Sequence, residues 1–126
     1  MNVSSTASTT LRQLLIGASL VLFSFQASAM ELVMIEQTIC PFCKQFDDEV
    51  KYSESETAKA LPLRRIKLSD PWPQDLANIS HDKLTPTFIL VDNGKELGRL
   101  RGYPGKEGFW ALLEKLMDAK NIKTSH

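Results

Sequence analysis

Cysteine and histidine are both scarce in this chain, two of each in 126 residues. The cysteines, Cys40 and Cys43, stand two residues apart, and neither His81 nor His126 is near them in sequence. A structural zinc site needs four ligands, and no second Cys or His pair completes one. A static staple is a poor reading as well, since a loop closed over two residues removes little unfolded-state entropy. Two unrelated buried thiols would be a coincidence of placement. A soft ion such as Cu(I) on two thiolates stays open as an alternative, without a Met or His beside the pair to strengthen it.

Excess charge is missing too. Fifteen basic residues balance 15 acidic ones, and they are interspersed. No nucleic-acid surface or polybasic membrane patch is therefore expected. There are no internal repeats and no low-complexity linkers, and the length suits one domain. Residues 1–29 hold no Asp or Glu and only one basic residue, Arg12. They are almost wholly apolar from Leu14 to Phe25 and end Ala27-Ser28-Ala29, the pattern of a cleaved secretory signal. A spanning helix needs about 20 apolar residues, and Gln26 cuts the run short, so an uncleaved anchor is the lesser reading. The expected organisation is a signal peptide over 1–29 and one exported domain over 30–126. In an oxidising compartment a lone cysteine pair is oxidised unless something delivers electrons to it.

What is present centres on Cys40-Pro41-Phe42-Cys43. The apolar run Leu32-Val33-Met34-Ile35 before it reads as a strand. Cys43, Phe46 and Val50 after it fall at i, i+3 and i+7, one face of a helix expected over 41–53. Cys40 then sits near the N-cap, with Pro41 at the first helical position, where its missing N–H costs nothing. The unpaired amides and partial positive charge of a helix start would stabilise a thiolate on Cys40. Cys43, one turn further in, would be the buried, resolving thiol. Lys44 is a candidate modulator of the thiolate, or an ordinary exposed lysine.

Further along, 53–61 reads as loop or frayed helix, 64–68 as a strand, and 73–79 as a short helix with Leu76 and Ile79 inward. Trp72 reads as packing and His81 as an exposed loop residue. Thr85-Pro86 precedes a strand over 88–91. Asp92-Asn93-Gly94-Lys95 is a hairpin turn, because Asn-Gly suits the positive φ angles of type I′. In the return strand, 96–101, Leu97 and Leu100 would face opposite ways unless a bulge near Gly98 brings both inward. Gly102-Tyr103-Pro104-Gly105 ends it, and Phe109, Leu112, Leu113 and Leu116 mark a final amphipathic helix. The order β-α-β-α-β-β-α implies a parallel first pair and an antiparallel last pair, in a mixed four-stranded sheet with helices on both faces.

With the cysteine pair, Thr85-Pro86, the Asn-Gly hairpin and the Gly102 turn in this order, the chain resembles the thioredoxin superfamily from about Leu32 to Met117. It is closer to glutaredoxin size, and Pro-Phe between the cysteines is glutaredoxin-like. Thr85-Pro86-Thr87-Phe88, Gly102-Tyr103-Pro104-Gly105 and the export signal are most similar to small exported thioredoxin-like proteins of bacterial sulfur-oxidation systems. The resemblance implies a thioredoxin-like α/β fold and a thiol–disulfide oxidoreductase using Cys40 and Cys43. It also implies a cis Pro86, and a substrate strand paired on the backbone of Thr85, beside Gly102. No cofactor beyond the Cys40–Cys43 disulfide and no metal is expected. The implied partners are disulfide-bearing exported proteins and a membrane-bound electron donor, the implied location periplasmic, and the implied state a monomer. Reductase is the preferred direction, with oxidase or isomerase the alternative.

Two departures stand out. Thioredoxins carry a buried Asp six residues before the first cysteine, where this chain has Met34. Cys43 would then rely on water or Lys44 for proton transfer, with Glu36 an exposed strand-end charge. No histidine lies between the cysteines, as it does in the strongly oxidising periplasmic enzymes.

Overall fold

Leu32, Val33, Met34 and Ile35 are all inaccessible to solvent, so both faces of their strand are covered and it must lie inside a sheet. The computed structural model describes residues 30–123; the expected signal peptide, 1–29, and residues 124–126 lie outside the described residues. The elements are β1 (Met30–Glu36), α1 (Pro41–Val50), α2 (Glu56–Ala60), β2 (Leu63–Lys67), β3 (Thr87–Asp92), β4 (Lys95–Arg101) and α3 (Lys106–Asp118), with 3-10 turns at Tyr52–Glu54 and Gln74–Leu76. The sheet order is β2-β1-β3-β4. β1 and β2 are parallel, from Leu32 opposite Leu63 to Glu36 opposite Lys67. β1 and β3 are antiparallel, as are β3 and β4.

The hairpin turn has Asn93 at φ 49° and Gly94 at φ 76°, the two positive angles of a type I′ turn. In β4, Leu90 faces Gly98 while Val91 faces Glu96, so Leu97 is the extra residue of a bulge. Leu97 and Leu100 consequently pack on the same cluster. Gly98 serves a close approach: a Cβ there would lie 2.3 Å from Leu116 Cδ1 of α3.

One face of the sheet, with Leu32, Met34, Phe88 and Leu90, is covered by Phe46 of α1 and by Phe109, Leu113 and Met117 of α3. The other, with Val33, Ile35, Ile66, Ile89 and Val91, is covered by Leu76 and Ile79, flanked by Trp72 and Leu68. The helix expected over 73–79 is only the 3-10 turn Gln74–Leu76, closed by the Trp72 indole N–H donating to the Leu76 carbonyl at 2.8 Å. Leu76 and Ile79 still face inward, so this face is covered by a connection, not by an α-helix.

Helix boundaries differ from expectation for local reasons. α1 stops at Val50 because Lys51 turns left-handed, φ 47°. The segment expected as loop or frayed helix then forms the short α2, capped by the Ser55 hydroxyl accepting from the Ala58 amide at 3.2 Å. In α3, Leu112 is exposed, and the inner stripe is Phe109, Leu113 and Met117, at i, i+4 and i+8.

Two features fix the parts that meet at the top of the sheet. The Phe46 ring lies 4.8 Å from Phe88 and 5.0 Å from Phe109, centroid to centroid, with Tyr103 edge-on at 5.9 Å. This holds α1 to the sheet and to α3. The connection into β3 is tied to β4 by charge. Arg101 donates to Asp82 through Nε at 2.6 Å and Nη2 at 3.1 Å, and Asp82 also accepts from the Leu84 amide at 3.1 Å. Arg99 donates to the Ser80 carbonyl at 2.9 Å.

Phe46→Ala should lower the stability of the oxidised protein by about 3–5 kcal/mol, read from urea unfolding. The hydrogen bond from Arg101 holds the Asp82 carboxyl below the usual carboxylate range. A depressed folded-state pKa stabilises above the unfolded value, about 4, and that contribution is lost as pH falls through the lower folded value. Urea midpoints measured against pH should therefore fall more steeply below about pH 4 in the wild type than in Asp82→Asn. Equal slopes would show that Asp82 carries no such linkage.

Candidate active site

The strand β1 ends at Glu36, and residues 37–40 carry the chain to α1. Cys40 is the N-cap residue, with extended backbone, φ −143° and ψ 94°, and Pro41 opens the helix. The Cys43 amide donates to Cys40 Sγ at 3.2 Å, and the Lys44 amide donates to the Cys40 carbonyl at 3.1 Å, closing the first turn. Cys40 and Cys43 are joined by a disulfide, with Cα atoms 5.2 Å apart. Cys40 is half-buried, whereas Cys43 is buried against Met34 and Phe46.

Antiparallel pairing sets the first residue of β3, Thr87, opposite Ile35 of β1 and opposite Arg101 of β4. Thr85 and Pro86, just before β3, and Gly102, just after β4, therefore lie at the end of the sheet where the cysteine loop emerges. The Thr85-Pro86 bond is cis. Pro86 is buried, and its carbonyl accepts from the Gly102 amide at 2.8 Å. Thr87 Oγ1 donates to the Leu84 carbonyl at 2.7 Å. Among the described residues the Thr85 backbone makes no hydrogen bond. Gly102 has φ 86°, and nothing lies within 4 Å of where its Cβ would be.

Lys44 is exposed, and its ammonium donates to Asp48 at 2.6 Å, one turn on. That hydrogen bond raises its pKa. An ammonium shared with a carboxylate in solvent exerts little pull on a neighbouring sulfur.

Three features escaped the sequence reading. Glu36 is not an exposed strand-end charge: its side chain is only 15% exposed and is bonded to Arg65 at 2.6 Å. Arg65 of β2 also grips Asp47 of α1, at 2.7 and 2.9 Å. Strand alternation would have put Glu36 on the Met34 side, but nothing in the sequence pairs it with a residue 29 positions later. Second, Tyr103 donates to Glu49 at 2.7 Å, tying the Gly102 turn to α1; this bond lowers the Glu49 pKa. Third, Ile39 (86% exposed), Phe42 (57%) and Leu84 (44%) leave large apolar side chains open at the end of the sheet that carries the disulfide. None of the described helices is long and apolar enough to cross a membrane.

The thioredoxin-like domain family matches residues 26–117. Among solved structures, the periplasmic thioredoxin SoxS of Paracoccus pantotrophus, in its reduced form, is 36% identical with a TM-score of 0.64, over 71% of this chain and 96% of its own. A thioredoxin of Thermus thermophilus is 25% identical with a TM-score of 0.54, covering 69% of this chain and 72% of its own. A thioredoxin-fold protein of Helicobacter pylori, 21% identical with a TM-score of 0.58 over 79% and 75%, shares the fold. No curated protein matches the chain. With a mixed four-stranded sheet, helices packed on it, and a cysteine pair closed as a disulfide at the head of α1, the chain belongs to the thioredoxin-like family, and its site supports thiol–disulfide exchange.

Proposed function

We propose that this protein is a periplasmic thiol–disulfide reductase, with Cys40 as attacking sulfur and Cys43 as resolving sulfur. The observation that carries this reading is the Cys43 amide aimed at Cys40 Sγ from the first turn of α1. An amide already directed at the sulfur requires no reorganisation to receive a thiolate, and the helix terminus adds partial positive charge. Cys40 Sγ attacks a partner disulfide, one partner sulfur leaves as thiolate, and a mixed disulfide forms. Cys43 Sγ then attacks Cys40 Sγ, the second partner sulfur leaves, and the pair is oxidised as the partner gains two electrons. A membrane-bound dithiol donor returns the two electrons.

A periplasmic thioredoxin 36% identical to the chain supports the location, as do the signal-like residues 1–29. The direction rests on the residues between the cysteines: Pro41 and Phe42 supply no additional cation to hold a thiolate, which favours a reducing pair over a strongly oxidising one. Ile39, Phe42 and Leu84 offer apolar surface to a polypeptide partner, and the unpaired backbone of Thr85 offers it a strand edge.

Alkylation by iodoacetamide across pH should show Cys40 of the reduced protein reacting at neutrality well above the rate of a peptide thiol, whose pKa is about 8.5. Cys43→Ala in exporting cells should accumulate mixed disulfides through Cys40; accumulation in Cys40→Ala instead would reverse the roles. Equilibrium titration of the pair should give a potential nearer about −270 mV than about −120 mV. A value at the upper end would make the protein an oxidase.

A further inference from the structure

Resolution requires Cys43 to attack as a thiolate, yet Cys43 is 4% exposed and packs among apolar side chains. Such burial disfavours the anion. Its proton therefore needs a path and an acceptor. Cys43 and Cys40 both border an open cleft of about 370 Å³ whose walls also carry Glu36, Lys44, Asp47, Arg65 and Lys67. Lys44, Arg65 and Lys67 are cations and can only donate. Two carboxylates remain.

They are not equivalent. Asp47 has both oxygens committed to Arg65, at 2.7 and 2.9 Å, and is 43% exposed. Glu36 takes both of its Arg65 bonds on Oε2, at 3.0 and 2.6 Å, and Oε1 has no partner among the described residues. Glu36 is two residues beyond Met34 on β1, and Met34 shares the buried cluster of Cys43. Strand alternation turns Glu36 to that same side. Arg65, itself bonded to Asp47 through Nη1 and Nη2, anchors the Glu36 carboxylate at the cleft.

We propose that Glu36 accepts the Cys43 proton during resolution, through water in the cleft, with Arg65 as its positioning residue. The inference rests on the proposed exchange reaction. In the step, the S–H proton of Cys43 passes to the Glu36 carboxylate and the Cys43 sulfur pair attacks Cys40 Sγ. The bond from Cys40 to the partner breaks, and the departing partner thiolate takes up a proton from solvent as Glu36 gives its own back. Electrons move from the dithiol to the partner alone.

The test uses the reduced full domain and an aromatic disulfide that releases a coloured thiolate twice, first on attack by Cys40 and then on resolution by Cys43. Glu36→Gln should leave the first phase unchanged and slow the second by about 10-fold or more at pH 7. The deficit should close above about pH 9, where the thiol ionises unaided. Glu36→Asp, which keeps a carboxylate on the same wall, should recover part of the rate. A second phase with unaltered rate and pH profile in Glu36→Gln would overturn the proposal, as would equal slowing in Asp47→Asn. Absence of the first phase in the wild type would instead sink the exchange reading, and this inference with it. A urea midpoint and near-UV spectrum close to wild type would separate a chemical defect from a folding one. A Glu36→Gln variant that does not fold leaves Glu36→Asp to decide: a second phase slowed at pH 7 and restored above about pH 9 supports the proposal, and an unaltered rate and pH profile overturns it.

Discussion

The site depends on one sulfur lying over the amides of a helix terminus, and that contact survives only while α1 is fixed against the end of β1. The favourable field of a helix end falls off within its first turn, so a slide of α1 by a few ångströms would remove it. Three ties oppose such a slide. Phe46 is wedged between Phe88 of the sheet and Phe109 of α3. Asp47 is bound to Arg65 on β2, and Glu49 to Tyr103 beyond β4. Side chains within about one turn of the helix are thus tied to different parts of the molecule.

These ties differ in what they contribute. Burial of Phe46 is worth several kcal/mol, whereas partly exposed ion pairs contribute about 0–1 kcal/mol each. The aromatic cluster therefore carries the stability, and the polar ties select the angle and register of α1 on top of it. Arg65 fits that second role because its planar fork engages two carboxylates on two elements at once. Asp82 does the same for the approach to Thr85 and Pro86, with Arg99 and Arg101 projecting from β4. The Lys44–Asp48 pair, within one helix and open to solvent on both sides, fixes nothing comparable.

Much of this was legible along the chain, and the reason is locality. The strand-to-helix step at Cys40, the Asn93-Gly94 turn and a bulge in β4 are each determined by a few neighbouring residues and each was anticipated, the bulge near Gly98 and found with Leu97 as its extra residue. So was the parallel β1–β2 pair, because a helical crossover leaves no other simple arrangement. What the sequence concealed was long-range or depended on competition between adjacent residues. Lys51 reads as one more helical position until its left-handed backbone ends α1. Leu112 and Met117 are equally apolar, and only the rotation of α3 over the sheet decides which is buried. Glu36 looks like a charge at a strand end until the parallel register brings Arg65 across to it.

On the proposed cycle the two cysteines face opposite physical problems, and the surroundings divide accordingly. Cys40 needs its anion stabilised at a point partners can reach, and backbone amides do that without placing a competing cation over the sulfur. Cys43 needs to remain shielded until a partner is attached, which burial against Met34 and Phe46 provides, and then to lose a proton quickly. A partner docked on Ile39, Phe42 and Leu84 would exclude water from the apolar rim. The cleft between β1, β2 and α1 is lined instead by charged side chains, among them Glu36, Arg65 and Asp47. On the proposed cycle a partner on the apolar rim covers one side of the attacking sulfur, and the cleft, which Cys40 and Cys43 both line, is the route left for the proton of the resolving sulfur. On the same proposal, a chain with an apolar residue at position 36 could still form the mixed disulfide, but it would have to wait for Cys43 to ionise without that carboxylate in the cleft.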